Sequence, residues 1–220
     1  MLVTISKDLL SKISDFNVLA YSMDVDVLDS QVIENEIQAR EKKISEEYSI
    51  SDVLNIPLIK VARDSYKALG KDPSRYRLAV ESLYRRIVKG NKLYRINSVV
   101  DAGNILSIDT MRSTAILDLD KILGDVYIRI GKSSDEYYGI GRGKIDVSDI
   151  PVYEDSLSPF GSTTSDTERT MITLNTKHIA VFIICFDNYL YEEDEKIMIN
   201  LFTNYCNAKN IKRIEVVKEC

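Results

Sequence analysis

The sequence predicts a mixed α/β fold of the α+β class, with a helix-rich first half and a sheet-rich second half sharing one core. Three observations lead there. Long stretches in the first half repeat apolar residues at helical spacing. Past residue 113, short β-branched runs recur between glycines 124, 131, 139, 141, 143 and 161. Strand-like and helix-like pieces do not alternate as regular βαβ units. The 220 residues suit one domain over 1–220, with a strand/helix portion at 1–70 and a core carrying the motifs at 71–220.

Residues 2–5 read as a strand, 6–13 as a short helix and 16–27 as a second strand. A long mixed-charge helix follows from Ser30 to Tyr48, with Ile33, Ile37, Ile44 and Tyr48 near one face and Glu36 and Arg40 at i,i+4 spacing. Residues 57–69 form another helix ended by Gly70. The next helix is expected to start at Asp72 as N-cap and Pro73 as first residue, and to end at Gly90. Its buried face is Tyr76, Ala79, Val80, Leu83, Tyr84, Ile87 and Val88. A helix over about 98–111 comes next. Strands are expected at 114–118, 125–131, 136–141, 151–154, 170–174 and 179–186. A helix begins in the acidic run 192–195, and a closing strand covers 211–217.

Composition narrows the function classes. Hydrophobic residues make up 45% of the chain and charged residues 29%, so a full core forms and disorder is not expected. A net charge of −5 argues against a general nucleic-acid coat, and no DNA partner is expected, although a local basic strip is compatible with it. Cysteines 185, 206 and 220 are odd in number and widely spaced, which reads as free thiols in a reducing compartment. No signal peptide or membrane-length apolar run is visible, so a cytoplasmic location is expected. Neither a metal site nor a cofactor is expected, and the oligomeric state is left open.

Three constellations carry candidate chemistry. The first is Asn97, Asp101, Asn104 and Asp118, whose bland alternative is helix capping and structural hydrogen bonding. The second is the hydroxyl-rich run Gly161–Thr170. Thr163, Thr164, Ser165 and Thr170 can hold an oxyanion or phosphate, Asp166 and Glu168 can accept from an amino group or orient water, and Arg169 can fork onto a carboxylate or phosphate. Its bland alternative is a turn with Glu168 and Arg169 paired. The third is the basic and aromatic strip from Arg75 to Arg95. Arg75, Arg77 and Arg95 are its better ligand candidates, while Tyr76 and Tyr84 fall on the apolar face. The single histidine, His178, reads as structural or exposed. GIGRG at 139–143 precedes no helix and reads as a turn.

The stretches KDPSRYRLAVESLYRRIVKG, RINSVVDAGNILSIDTMRSTAILDLDKILGD and SPFGSTTSDTERTMITLNTKHIAVFIICF, in this order over about 71–186, resemble the B3/B4 domain of the phenylalanyl-tRNA synthetase beta subunit. The resemblance implies a mixed α/β fold with a central pocket and an editing role, the deacylation of mischarged tRNA, with tRNA or an aminoacyl-type ligand as partner. Asn104 matches the family pattern. Gly103 and Ala115 depart from it where the family has a polar residue and a histidine, which removes two polar side chains from the pocket. Two readings follow. One is a trans-acting editing hydrolase using Asn104, Ser165, Asp166 and Glu168. The other is a module without turnover that binds RNA, an amino acid or a nucleotide-like metabolite. An interaction scaffold is a weaker third. Synthetase ligase activity is not expected of this chain alone.

Overall fold

The computed structural model describes residues 1–188 and 191–220. In the described residues, strand β1 (Val3–Ile5), helix α1 (Lys7–Lys12) and strand β2 (Asn17–Asp24) open the chain. A 3-10 turn at Ser30–Ile33 leads into α2 (Glu34–Glu47), followed by α3 (Ile50–Asn55), α4 (Pro57–Leu69), α5 (Ala79–Val88) and α6 (Ser98–Thr110). The second half supplies β3 (Thr114–Asp118), β4 (Val126–Ile130), the small hairpin β5 (Tyr138–Gly139) and β6 (Gly143–Lys144), β7 (Pro151–Glu154), β8 (Pro159–Ser162) and β9 (His178–Cys185). Helix α7 (Glu192–Cys206) and strands β10 (Lys209–Arg213) and β11 (Val216–Lys218) follow. The α+β class read from the sequence is the class observed.

Two sheets carry the fold, in the orders β11-β1-β4-β7-β8 and β10-β2-β9-β3. The second is antiparallel throughout, with Phe182 of β9 in register with Ala20 of β2 and Ala115 of β3. Side chains alternate across a strand and paired residues share a face. Phe182 therefore points the same way as Ala115, and its ring meets that of Tyr153 on β7 edge-on at 5.7 Å. That face packs on the first sheet. The opposite face, carrying Thr114 and Ile116, is covered by α6, with α7 packed beside it. The result is three layers: sheet, sheet, helices. One continuous apolar cluster, from Val3 to Ile214, runs through them.

Several local expectations need correction. The helix expected from Asp72 starts instead at Ala79. Through one carboxylate oxygen Asp72 accepts from both the backbone N–H and the hydroxyl of Ser74, making a turn rather than a cap. Leu78 is extended and the Ala79 N–H goes to the carbonyl of Thr163, so a tertiary bond sets the helix start. The strand expected at 170–174 is absent. Glu168–Thr170 form a 3-10 turn, and the neighbouring strand is β8, where Phe160 supplies the buried side chain. The expected strand 136–141 is reduced to the β5–β6 hairpin. The strand expected at 211–217 divides, β10 joining β2 and β11 joining β1 in the other sheet. Helix α3 was not anticipated, although Ser49 and Asp52 form a reciprocal capping box at its start.

Candidate functional site

The hydroxyl-rich run lies between the layers, where the first sheet ends at β8. Gly161 sits in β8 opposite Tyr153, and a Cβ there would come within 2.5 Å of the Tyr153 ring and 2.9 Å of the Asp166 carboxylate, so only glycine lets the loop fold over that ring. The loop then closes on itself. Ser162 Oγ donates to the Ser165 carbonyl at 2.7 Å and accepts from the Ser165 N–H at 3.1 Å. Three tyrosines the sequence reading did not single out surround it. Tyr66 on α4 hydrogen-bonds the hydroxyl of Thr163 and, at 3.0 Å, that of Thr164. Tyr137 donates to the Ser165 carbonyl. Tyr153, fully buried, completes the wall. Tyr66 carried the available signal: it continues the Ile59–Ala62 buried face of α4 with a hydroxyl that a core position does not need.

Two atoms in this cluster have no protein partner. Asp166 Oδ1 and the Tyr153 hydroxyl are both sealed from solvent without a hydrogen bond. Buried polar atoms are ordinarily paired. Burial pushes the Asp166 carboxyl up to about 7, so it is poised between its acid and its base form near neutrality. Burial, and then the nearby Asp166, hold the Tyr153 and Tyr137 hydroxyls well above the usual phenol range, so both stay protonated donors. Burial likewise pushes Tyr66 up to about 12. A buried carboxyl oxygen left without a donor can accept from an ammonium or hold a water. The residues that follow, Thr167, Glu168 and Arg169, line a cleft of about 200 Å³ together with Glu136, Tyr138 and the Ser158–Pro159 segment.

The other expected residues lie elsewhere or are already engaged. Asn104 is on α6, and Gly103 beside it packs on Ile116. Because Ile116 and Ala115 point to opposite faces of the sheet, Asn104 and the hydroxyl run lie on opposite sides of that sheet. The expected convergence of Asn104 with 161–170 is therefore corrected: the β3–β9 layer separates them. Asn97 is the α6 N-cap, accepting from the N–H groups of Val99 and Val100. Asp101 accepts from the Ser30 hydroxyl and the Ile96 N–H, and burial raises its pKa. Asp118 accepts from Thr176 at 2.7 Å and from the Asp120 N–H. Arg169 forks onto the buried carboxylate of Asp155 at 2.9 Å twice, and also donates to the carbonyls of Lys121 and Ser158. It is thus a structural clamp at the cleft edge, and its partner is Asp155, not Glu168. Glu168 is exposed, and Thr170 is buried near the Phe160 carbonyl.

In the basic strip, Arg95 is clamped between the carboxylates of Glu34 and Glu41. Arg75 and Arg77 are exposed, Arg75 standing 3.8 Å from Asp72. His178 is half-exposed, 3.0 Å from Asp120, which raises its pKa. Cys185 and Cys206 are buried free thiols and Cys220 is an exposed one. Among the described residues, no group of three or more His, Cys, Asp or Glu side chains is placed to hold a metal, and no helix is long and apolar enough to cross a membrane.

Comparison with known proteins agrees with this architecture. The chain superposes on an N-terminal fragment of the phenylalanyl-tRNA synthetase beta subunit from Pyrococcus horikoshii with a TM-score of 0.55 and 13% identity, over 99% of this chain and 52% of that one. It thus spans about half of the fragment's length, and at that identity the likeness is one of fold. No curated protein matches. The family model for the B3/4 domain matches residues 61–216, a span holding the Asp166 loop and all three tyrosines around it, and the chain belongs to the B3/4 domain family.

Proposed function

We propose that the chain is a binding module for an aminoacyl-type ligand, such as the charged end of a tRNA, taken up at the Asp166 cluster. The observation that carries this reading is the pair of buried atoms without partners, Asp166 Oδ1 and the Tyr153 hydroxyl. A ligand bringing one donor and one acceptor, as an aminoacyl group does with its ammonium and carbonyl, would satisfy both. An ammonium beside Asp166 would also draw its carboxyl into the ionised form, giving a charge-assisted hydrogen bond. The fold shared with a synthetase beta-subunit fragment supports tRNA as the source of that group.

Hydrolysis is the second reading, and one observation favours it. A carboxyl titrating at about 7 has the pKa a general base needs at neutral pH. An aminoacyl ester is already activated, so a positioned water deprotonated by Asp166 would suffice, with the Tyr153 hydroxyl and the one threonine hydroxyl of Thr163 and Thr164 that does not donate to Tyr66 as donors to the developing oxyanion. Asn104 takes no part, because it lies beyond the sheet.

Both readings are tested with the pure protein. Binding predicts that a non-hydrolysable aminoacyl-adenosine analogue raises the melting temperature and that Asp166→Asn abolishes the shift; stabilisation would reach about 2.7 kcal/mol at a hundred times the Kd. Absence of any shift in the wild type across a set of such analogues would sink the binding reading. Hydrolysis predicts release of amino acid from a panel of charged tRNAs, lost in Asp166→Asn. Binding without release would leave the module reading alone.

A further inference from the structure

Glu81 lies in the first turn of α5 with its side chain wholly buried. One oxygen, Oε2, accepts from Arg63 Nη1 of α4 at 2.7 Å, and the same nitrogen reaches the Pro73 carbonyl at 3.2 Å. The other oxygen, Oε1, is sealed from solvent and has no hydrogen bond. Arg85, one turn further along α5, stands 3.6 Å from Oε1, an ion pair too long for a hydrogen bond. It makes no other polar contact among the described residues, although its side chain is only 18% exposed.

A guanidinium is rich in N–H donors, and buried ones are ordinarily paired. Those of Arg85 are all unspent, and so are those on Arg63 Nε and Nη2. The charges are unequal too, because two guanidiniums share one carboxylate. Asp72, on the turn that holds Pro73, is exposed and has Arg75 at 3.8 Å. The cluster therefore lacks two complementary things: acceptors with negative charge for the guanidiniums, and one donor for Glu81 Oε1. Sulfate or a phosphodiester meets only the first need. A phosphate that still carries a proton meets both, its P–O⁻ atoms accepting from the guanidiniums and its P–OH donating to Oε1. Arg85 faces Oε1 without a hydrogen bond to hold it, so it can yield to an entering group.

We infer that the Arg63–Glu81–Arg85 cluster is a binding site for a protonated phosphate group, borne by free phosphate or by a small phosphomonoester. The inference does not rest on the Asp166 reading, since it uses none of the same residues, and Asp166→Asn is expected to leave it unchanged.

The test is isothermal titration calorimetry of the full chain at constant ionic strength and about pH 6, near the second pKa of a phosphomonoester. Inorganic phosphate, glycerol 1-phosphate, sulfate and dimethyl phosphate are titrated separately. Phosphate or the monoester is expected to bind, and whichever binds tighter names the source. Sulfate and the diester should bind roughly ten-fold more weakly, because they leave Oε1 without a donor. Binding should also weaken as pH rises and the P–OH is lost. Arg85→Gln removes no hydrogen bond, so it should fold as the wild type does, yet it should weaken phosphate binding roughly ten-fold. Glu81→Gln, whose amide offers a donor where the carboxylate only accepts, should narrow the preference for phosphate over sulfate, with a melting curve to show that it is folded. Failure of both phosphate and the monoester to bind, equal affinity for sulfate or the diester, or affinity that Arg85→Gln leaves unchanged overturns the inference.

Discussion

Gly103 lies against Ile116: a Cβ added to the glycine would fall 2.3 Å from the isoleucine Cγ1. The contact joins α6 to β3, and the Thr114 hydroxyl bonds the Gly103 carbonyl beside it at 3.0 Å. The position serves close helix–sheet packing. Gly103→Ala should therefore destabilise by about 1–3 kcal/mol through overpacking. Adding Ile116→Ala should recover part of that loss, so that the two changes are non-additive. Urea denaturation of the two single variants and the double measures the coupling, and simple additivity would show that the contact is not formed.

Asp166 predicts a pH-dependent stability. In the folded chain its carboxyl titrates at about 7, against an ordinary 3.8. The folded state keeps the proton while the unfolded chain gives it up, so the stability linked to neutral Asp166 is complete below pH 3.8. It declines as pH rises, and is gone above about 7. Asp166→Asn, which is neutral at every pH, should thus match the wild type near pH 4 and exceed it at pH 8 by a few kcal/mol, on the order set by ~1.4 kcal/mol per pH unit. Melting curves across that range check the sign. A variant less stable than wild type at pH 8 would mean that the carboxylate is paired and not stranded.

Several elements were legible: the β-branched run 179–186 reads as a buried strand and forms β9, and Gly70 ends α4 with φ of 98°. The hydroxyl run was legible as a dense polar segment, with Asp166 and Glu168 as its two carboxylates and nothing to choose between them. What the sequence could not carry was which face of a sheet each element covers. Asn104 and Asp166 are 62 positions apart, and only the register of β3 on β9 shows that a sheet lies between them. Nor could it show that Arg169 is spent on Asp155, because a fork between residues 14 apart leaves no periodic trace. The tyrosines that wall the site were hidden for the opposite reason: their apolar spacing reads as core, and a hydroxyl is silent in a hydrophobicity pattern.

Arg169→Ala should act through stability and not through ligand contact. The arginine is the paired cation of Asp155, whose side chain is fully buried, and removing it leaves that carboxylate with only backbone donors from Leu123, Leu157 and Ser158. Breaking a buried pair from one side costs about 3 kcal/mol or more. Chemical denaturation should show that loss, while Arg169→Lys, which keeps one donor but not the fork, should recover part of it. An Arg169→Ala protein as stable as the wild type would mean that the fork is loose and the guanidinium is free for a ligand.

The thiols offer a check on the packing of β9 and α7. Cys185 lies within β9 and Cys206 at the end of α7, both buried, and burial pushes each thiol up to about 12. The thiolate is the reactive form, so at neutral pH both are inert twice over: shielded from reagent and held protonated. Cys220, the last residue, is exposed. A thiol-specific reagent should therefore modify one cysteine quickly in the native protein and all three once it is denatured. In Cys220→Ser the rapid phase should vanish, leaving slow labelling whose rate follows opening of the structure. Fast modification of a second thiol in that variant would place Cys185 or Cys206 at the surface, and with it would go the helical layer that α6 and α7 form over the β2–β9 sheet.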